Sequence, residues 1–177
     1  LRPSWGTMTF RYHEGWNLVS IPLVPDQPDV ASYLPDAQMP AFAWDPDSGY
    51  VRRWQLDPFT AYWIKFAKTD SVELRGRFQR DLALAYGSGE TGWSMAGMPS
   101  GPCAIDDILQ DPTGMLLSVY EYDPVYGYIL PADRVMMPGR GFFVKIGVEG
   151  SMLLRGAEEE HSSPARELLR YPAALRK

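Results

Sequence analysis

The chain has 177 residues, of which 45% are hydrophobic and 13% aromatic, enough to bury the core of one ordinary domain or of two small ones. Its net charge of -5, from 17 basic and 22 acidic residues without a Lys/Arg cluster interleaved with aromatics, argues against nucleic acid as a partner. No apolar run approaches the roughly 20 residues that cross a bilayer, so no membrane span is predicted. The 16 Gly, 16 Pro, 6 Trp and 10 Tyr predict a mostly β protein built from many short strands.

The first two predicted strands lie at residues 7–12 and 15–22. Both alternate between two faces, as a strand requires. The second reads Gly-Trp-Asn-Leu-Val-Ser-Ile-Pro and places Trp16, Leu18 and Ser20 on one face. Its opening glycine and closing proline suit the ends of a strand better than its centre, so this motif is interpreted as architectural.

A helical turn and a hairpin are predicted next along the chain. Asp29 is placed to cap a short helical turn that ends at Pro35. Strands at residues 41–44 and 50–54 flank Asp-Pro-Asp-Ser-Gly at 45–49, a strong signal for a β-hairpin.

A third pair of strands completes the first unit. They are predicted at residues 61–66 and 71–75, separated by a four-residue loop, and Gly76 is expected to end the unit.

The same order of elements then returns, beginning with Gly-Trp-Ser-Met-Ala-Gly-Met-Pro at residues 92–99. The offset between equivalent residues drifts only from 77, at Gly15 and Gly92, to 80, at Gly76 and Gly156. So many ordered matches predict an internal duplication.

The predicted organisation is therefore two β repeats, at residues 7–76 and 82–156, packed together as one unit and followed by a tail. Each repeat alone would bury little core, so a shared aromatic-rich core is expected, in a sandwich or in two paired small barrels. The tail at 157–177 is predicted to be a polar linker with a short C-terminal helix at 166–171.

The motif at 15–22, followed by Trp-Asp-Pro-Asp-Ser-Gly-Tyr at 44–50 and by Tyr62-Trp63, resembles a duplicated β-module of large exported bacterial proteins. Such modules often sit beside immunoglobulin-like or fibronectin-like domains. The resemblance covers residues 8–156 and implies export, a surface or spacer role, and no catalytic residues. A chain that begins at Leu1 is expected to be a processed or excised segment.

The second copy departs from the pattern of the resembled module. Asn17 and Ser20 of the first copy become Ser94 and Gly97, and Phe142-Phe143 replaces the Tyr-Trp pair.

The residues that could catalyse a reaction have a simpler structural interpretation, so the protein is predicted not to be an enzyme. Ser94 lies in a Gly-x-Ser-x-Ala stretch but corresponds to Asn17 of a strand, whereas a nucleophile elbow needs a strand-to-helix turn. Cys103, the only cysteine, is predicted to be a small buried side chain. The carboxylates Asp106 and Asp107 are expected to favour the start of a helical turn.

No cofactor is predicted, and metal binding has little support. His13, His161 and Cys103 do not form a recognised zinc-ligand spacing. Asp45 and Asp47 are weak calcium candidates, because a short acidic loop with a glycine is how such sites begin. The alternative is a hairpin turn in which Asp45 hydrogen-bonds its own backbone.

Exposed aromatic residues are the remaining candidates for a binding site. In Tyr-Trp-Ile-Lys-Phe of the first repeat, Trp63 and Lys65 share one face, and Phe143 and Lys145 repeat this in Phe-Phe-Val-Lys-Ile of the second. If the other face is core, these rings can stack on a sugar or seal against another subunit. In the alternative, both faces are covered by the partner repeat. Trp54 is a further candidate platform.

Two functions are therefore predicted from different classes. The first is a non-enzymatic extracellular module, secreted or on the cell surface, that assembles with copies of itself or with neighbouring domains. The alternative is a glycan-binding module that uses Trp54, Trp63 or Phe143 as a stacking platform.

Overall fold

The computed structural model describes residues 4–157 and confirms the prediction of a mostly β protein with antiparallel sheets. The predicted C-terminal helix at 166–171 lies outside the described residues. Between residues 4 and 157, no helix is long and apolar enough to cross a membrane.

The first half of the described chain, residues 4–80, forms one three-stranded and one four-stranded sheet. The three-stranded sheet has the order β1-β7-β3 and the four-stranded sheet the order β2-β6-β4-β5. The strands are β1 (Trp5–Tyr12), β2 (Gly15–Ser20), β3 (Leu23–Pro25), β4 (Ala37–Asp45), β5 (Gly49–Arg53), β6 (Ala61–Phe66) and β7 (Asp70–Phe78).

The second half, residues 81–157, forms one three-stranded, one four-stranded and one small two-stranded sheet. Their orders are β8-β16-β11, β9-β15-β12-β13 and β10-β14. The strands are β8 (Asp81–Tyr86), β9 (Gly92–Ala96), β10 (Cys103–Ala104), β11 (Leu109–Asp111), β12 (Leu116–Asp123), β13 (Gly127–Ile129), β14 (Val135–Met136), β15 (Phe142–Ile146) and β16 (Gly150–Arg155).

Among residues 4–157, helical structure is confined to short turns between strands. The α-helix α1 (Val30–Tyr33) is capped by Asp29, whose Oδ1 accepts a hydrogen bond from the backbone N of Ser32 at 3.0 Å. This confirms the predicted capped turn. The remaining turns are 3-10 helices at Ser88–Glu90, Ile105–Asp107 and Ala132–Arg134.

The prediction that the strands at 61–66 and 71–75 form a pair is wrong. In the structure β6 pairs with β2, with Trp63 opposite Leu18, whereas β7 pairs with β1, with Leu74 opposite Met8. The chain crosses between the two sheets at 67–69, so that consecutive strands cover opposite sides of one core.

Gly76 also does not end the unit as predicted, because β7 continues through it to Phe78. A Cβ at Gly76 would lie 2.5 Å from the carbonyl oxygen of Val24. Glycine at this position therefore permits the close approach of β3 rather than a turn.

Each half has a hydrophobic core of its own, which corrects the prediction of one core shared across the repeats. The first core is built from these buried residues: Phe10, Tyr12, Val19, Ile21, Leu23, Val30, Leu34, Ala41, Ala43, Leu56, Tyr62, Ile64, Phe66 and Leu74. The second core contains the following: Phe59, Leu82, Tyr86, Ala96, Met98, Cys103, Ile108, Met115, Val119, Met136, Phe142, Val144, Ile146, Met152 and Leu154. Each core lies between two small sheets of the same half. Each half therefore buries its own apolar side chains without a core shared with the other half. Two residues of the first half cross to the second core: Phe59 is buried in it, and the partly buried Val24 packs against it.

The two halves are joined by backbone hydrogen bonds near the end of β2. The backbone N of Ser20 donates to the carbonyl oxygen of Gly139 at 3.1 Å, and the backbone N of Gly141 donates to the carbonyl oxygen of Leu18 at 3.1 Å. The hydroxyl of Ser20, which is fully buried, accepts a hydrogen bond from the backbone N of Met98 at 2.8 Å.

Unusual backbone conformations recur at equivalent positions of the two halves. Positive φ angles occur at Gly15 (89°) and Gly92 (103°), and again at Gly49 (76°) and Gly127 (77°). Phe59 has a φ of 63° and its equivalent, Gly139, a φ of 85°. The internal duplication stays a prediction, and these pairs support it.

Candidate ligand-binding surface

The outer faces of the two four-stranded sheets carry Trp63 and Phe143, two of the three aromatic candidates from the sequence. Four residues of β6 and three of β15 are buried, and the buried face includes Tyr62, Ile64 and Phe66 in β6, as one of the two sequence-based alternatives required. On the opposite face Trp63 and Phe143 are half-buried, whereas Lys65 and Lys145 are exposed.

An open cleft of about 340 Å³ lies on the outer face of the second four-stranded sheet. It is lined by four aromatic side chains, Trp93, Tyr120, Tyr128 and Phe143. The ring centroids of Trp93 and Tyr120 are 5.8 Å apart, and those of Tyr128 and Phe143 are 5.4 Å apart in an edge-to-face arrangement. We call this feature the aromatic cleft.

A lysine lies at the rim of the aromatic cleft. Lys145 stands opposite Trp93 across β15 and β9, and its Nζ lies 5.8 Å from the centroid of the indole ring. This distance allows a cation–π contact, which holds the ammonium group beside the rings.

The hydroxyl groups of the tyrosines can supply hydrogen bonds at the same place. Burial raises the pKa of Tyr128, and the neighbouring Tyr50 and Tyr122 raise it further. The Tyr128 hydroxyl therefore keeps its proton at neutral pH and can donate as well as accept a hydrogen bond.

The structure brings together three of the five residues proposed from the sequence. The ring of Trp63, from the first half, lies 4.7 Å edge-to-face from Tyr122 and 6.3 Å from Phe143. Phe143 lines the cleft and Lys145 lies at its rim.

The other two sequence-based candidates lie outside the aromatic cleft. Lys65 stands opposite Trp16 on the sheet of the first half. Trp54 is 55% exposed and follows β5, where its carbonyl oxygen accepts a hydrogen bond from the backbone N of Val30.

Sequence reasoning missed three of the four residues that line the cleft, namely Trp93, Tyr120 and Tyr128. The sequence contained a pattern that could have identified two of these three residues. Trp93 is the counterpart of Trp16 in the repeated motif, and Tyr120 alternates along β12 with the buried Glu121.

The two calcium candidates form a hairpin turn instead of gathering ligands. Oδ1 of Asp45 accepts hydrogen bonds from the backbone N of Asp47 at 3.1 Å and of Ser48 at 2.8 Å. These hydrogen bonds, the one from Ser48 foremost, lower the pKa of the Asp45 carboxyl. Within residues 4–157, no group of three or more His, Cys, Asp and Glu side chains is arranged to hold a metal ion.

In the equivalent turn of the second half, an aspartate again accepts hydrogen bonds from the backbone of the turn, but this aspartate is more deeply buried. Oδ1 of Asp123 accepts hydrogen bonds from the backbone N of Val125 at 2.8 Å and of Tyr126 at 2.9 Å, and Asp123 is only 3% exposed. This turn positions β13 and, with it, Tyr128.

We expect Asp123→Ala to lower the free energy of unfolding by about 1–3 kcal/mol, because two backbone N–H groups lose their acceptor. Asp123→Asn, which keeps an acceptor oxygen, should lower the free energy of unfolding by less than Asp123→Ala. Urea unfolding followed by tryptophan fluorescence measures both variants, and an alanine variant as stable as the wild type would contradict this assignment.

The residues considered for catalysis occupy structural positions. Cys103 is buried in the second core, and burial raises the pKa of its thiol, which disfavours the nucleophilic thiolate. Ser94 lies in the middle of β9 and not in a strand-to-helix turn.

A buried ion pair lies on the other side of β12 from the tyrosines. Nη1 of Arg140 is 2.7 Å from Oε1 of Glu121, whose side chain is only 5% exposed. Arg140 also forms a β-bridge with Val19 of the first half, so the ion pair lies where the halves meet.

The fold and the cleft define a class of protein, a mostly β protein with an aromatic surface on its outer sheet faces. Comparisons of the chain with models of protein families, with curated proteins and with solved structures found no match. The resemblance of the repeated motif to exported bacterial β-modules therefore stays a prediction.

Proposed function

We propose that this chain is a non-enzymatic module that binds a glycan in the aromatic cleft. The observation that carries the proposal is the meeting of four aromatic rings in one open cleft of about 340 Å³, with the Lys145 ammonium at its rim.

The proposal follows from the two-sided chemistry of a sugar. One face of a pyranose ring presents C–H groups that pack on aromatic rings, and its edge presents hydroxyls that need hydrogen-bond partners. The rings of Trp93 and Phe143 supply the apolar platform. The hydroxyls of Tyr120 and Tyr128 and the Lys145 ammonium supply polar partners around it.

We place this activity outside the cell, either in a secreted protein or on the cell surface. The resemblance of the motif at 15–22 to modules of exported proteins supports this location. Sequence reasoning ranked assembly above glycan binding, and the geometry of the cleft now favours the second.

We expect Trp93→Ala to weaken glycan binding about tenfold, because an exposed stacking ring contributes about 1 kcal/mol or more. Trp54→Ala is the matched control, since Trp54 has a similar exposure, 55% against 48%, and lies outside the cleft. A glycan array would identify ligands for isothermal titration calorimetry. An array without any binding, or equal losses in the two variants, would refute the proposal.

Assembly with copies of the chain or with neighbouring domains remains a second candidate, favoured by one specific observation. Large apolar side chains are strongly exposed at the turn after β12 and beyond β13, with Val125 77%, Tyr126 69% and Leu130 68% exposed. Such a cluster can bury itself against another copy. Light scattering over a wide concentration range tests this candidate, and a monomer throughout would count against it.

A further inference from the structure

We infer that the ligand is a linear acidic polysaccharide that extends across both halves of the molecule, and not a single sugar held by one half. This inference rests on the proposed glycan binding. It is carried by six aromatic side chains on the outer sheet faces, which we call the aromatic track and which are Trp16, Phe42, Trp63, Phe143, Tyr120 and Trp93. Three of its five successive steps are ring contacts and the other two are cross-strand pairs.

The first three rings of the aromatic track belong to the first half. The ring centroids of Trp16 and Phe42 are 5.8 Å apart. Phe42 then stands directly opposite Trp63 across β4 and β6, where side chains of an antiparallel pair lie about 5 Å apart.

The track crosses between the halves from Trp63 to Phe143, whose ring centroids are 6.3 Å apart. In the second half, Phe143 stands opposite Tyr120 across β15 and β12. The last step joins Tyr120 to Trp93, with centroids 5.8 Å apart.

The two ends of the track are equivalent to each other. Trp16 corresponds to Trp93 at an offset of 77, and Phe42 to Tyr120 at 78. The outer ring pair therefore has the same 5.8 Å spacing at both ends. A repeated platform of this kind suits a polymer of repeating units, because successive sugars meet similar rings.

The ends of the track are also its most accessible parts. Trp16 is 43% exposed and Trp93 is 48% exposed, whereas Trp63 and Phe143 at the centre are half-buried. A ligand that occupies only the cleft leaves Trp16 in water, whereas a longer polysaccharide covers the Trp16 ring.

Charge indicates an acidic ligand. Although the whole chain has a net charge of -5, the track is flanked by cations. Lys65 stands opposite Trp16, Lys145 opposite Trp93, and Arg52 opposite Phe42.

The carboxylates of β12 do not cancel this positive charge. Glu121 and Asp123 are 4% and 3% exposed and lie on the core side of the sheet, whereas Tyr120 and Tyr122 lie on its outer side. The outer side therefore suits anionic sugars, whose carboxylate or sulfate groups pair with Lys or Arg.

The test is calorimetric titration of the full chain with oligosaccharides of increasing length, from disaccharide to octasaccharide. One series carries uronic acid carboxylates, a second carries sulfates, and a third is neutral. We expect affinity to rise with length in an acidic series, to fall when salt is added, and to exceed that of the neutral series. The two acidic series identify which anionic group is recognised.

Variants separate this inference from the proposed function. Trp16→Ala should weaken binding of the longest acidic oligosaccharide about tenfold and leave disaccharide binding unchanged, whereas Trp93→Ala should weaken both. Lys65→Gln should act only on acidic ligands. Thermal unfolding of each variant confirms that it is folded.

Four outcomes overturn the inference. Affinity independent of length, or a Trp16→Ala variant that binds long oligosaccharides normally, would confine the ligand to the cleft and leave the proposed function standing. Tighter binding of the neutral series would show that the ligand is not an acidic polysaccharide. Failure to bind any glycan would refute the proposed function itself.

Discussion

Gly97→Ala is expected to lower the free energy of unfolding by about 3 kcal/mol or more, the largest loss of stability expected for any substitution in this chain described above or below. A Cβ added to Gly97 would lie 1.8 Å from the carbonyl oxygen of Phe59 and 2.2 Å from its carbonyl carbon. Both are backbone atoms, so a side-chain rotation cannot relieve the clash. The two halves would have to move apart at this point.

Gly89→Ala is the matched control for this variant, because a Cβ at Gly89 meets no atom within 4 Å and its φ is not in the left-handed region. Urea unfolding followed by tryptophan fluorescence gives both values. Equal stability of the two variants would show that the Phe59 backbone does not lie against Gly97.

The clash also explains why the second copy of the motif departs from the first. Gly97 is the counterpart of Ser20, whose hydroxyl has room to accept a hydrogen bond from Met98. At Gly97 that space is filled by the backbone of Phe59, so no side chain fits.

The second large effect is expected for Glu121→Ala, which should cost about 2–3 kcal/mol. Removing one member of a buried ion pair leaves the other in a poorly solvated place, and the partial exposure of Arg140, 22% of its side chain, moderates this cost. Glu121→Gln keeps an acceptor near Arg140 and should lower the free energy of unfolding by less than Glu121→Ala. The measurement is the shift of the urea midpoint at constant slope.

An exposed ion pair of similar length supplies the control for Glu121. Nη2 of Arg134 lies 2.6 Å from Oδ1 of Asp106, and both side chains are more than half exposed. Asp106→Ala should therefore have little effect, because water solvates each charge when its partner is absent. If Asp106→Ala were as harmful as Glu121→Ala, burial could not be the cause of the larger loss.

The parts of the fold that depend on neighbouring residues were predictable from the sequence. The turn at 45–49 closes a hairpin because Asp45 binds the backbone two and three residues ahead, and the capped turn at Asp29 works in the same way. Strand pairing over longer distances was not predictable. Alternation in β6 and β7 shows which side chains face a core, but it does not show that the two strands lie on opposite sides of that core.

The same distinction applies to the candidate site. Alternation placed Trp63 with Lys65 and Phe143 with Lys145, and the structure buries the opposite face of each strand, which was one of the two alternatives left open. It did not show that Trp93 and Tyr120 flank Phe143, because that depends on β15 lying between β9 and β12. The contact of Trp63 with Tyr122 depends further on how the halves meet.

The insertion of Phe59 into the core of the other half has a consequence for cooperativity. Separating the halves would expose this ring and open a cavity in the second core, so unfolding of the first half is expected to weaken the second core. We therefore expect a single unfolding transition for the two halves. The second repeat should therefore be less stable alone than beside the first repeat, because it would lose the ring of Phe59 from its core.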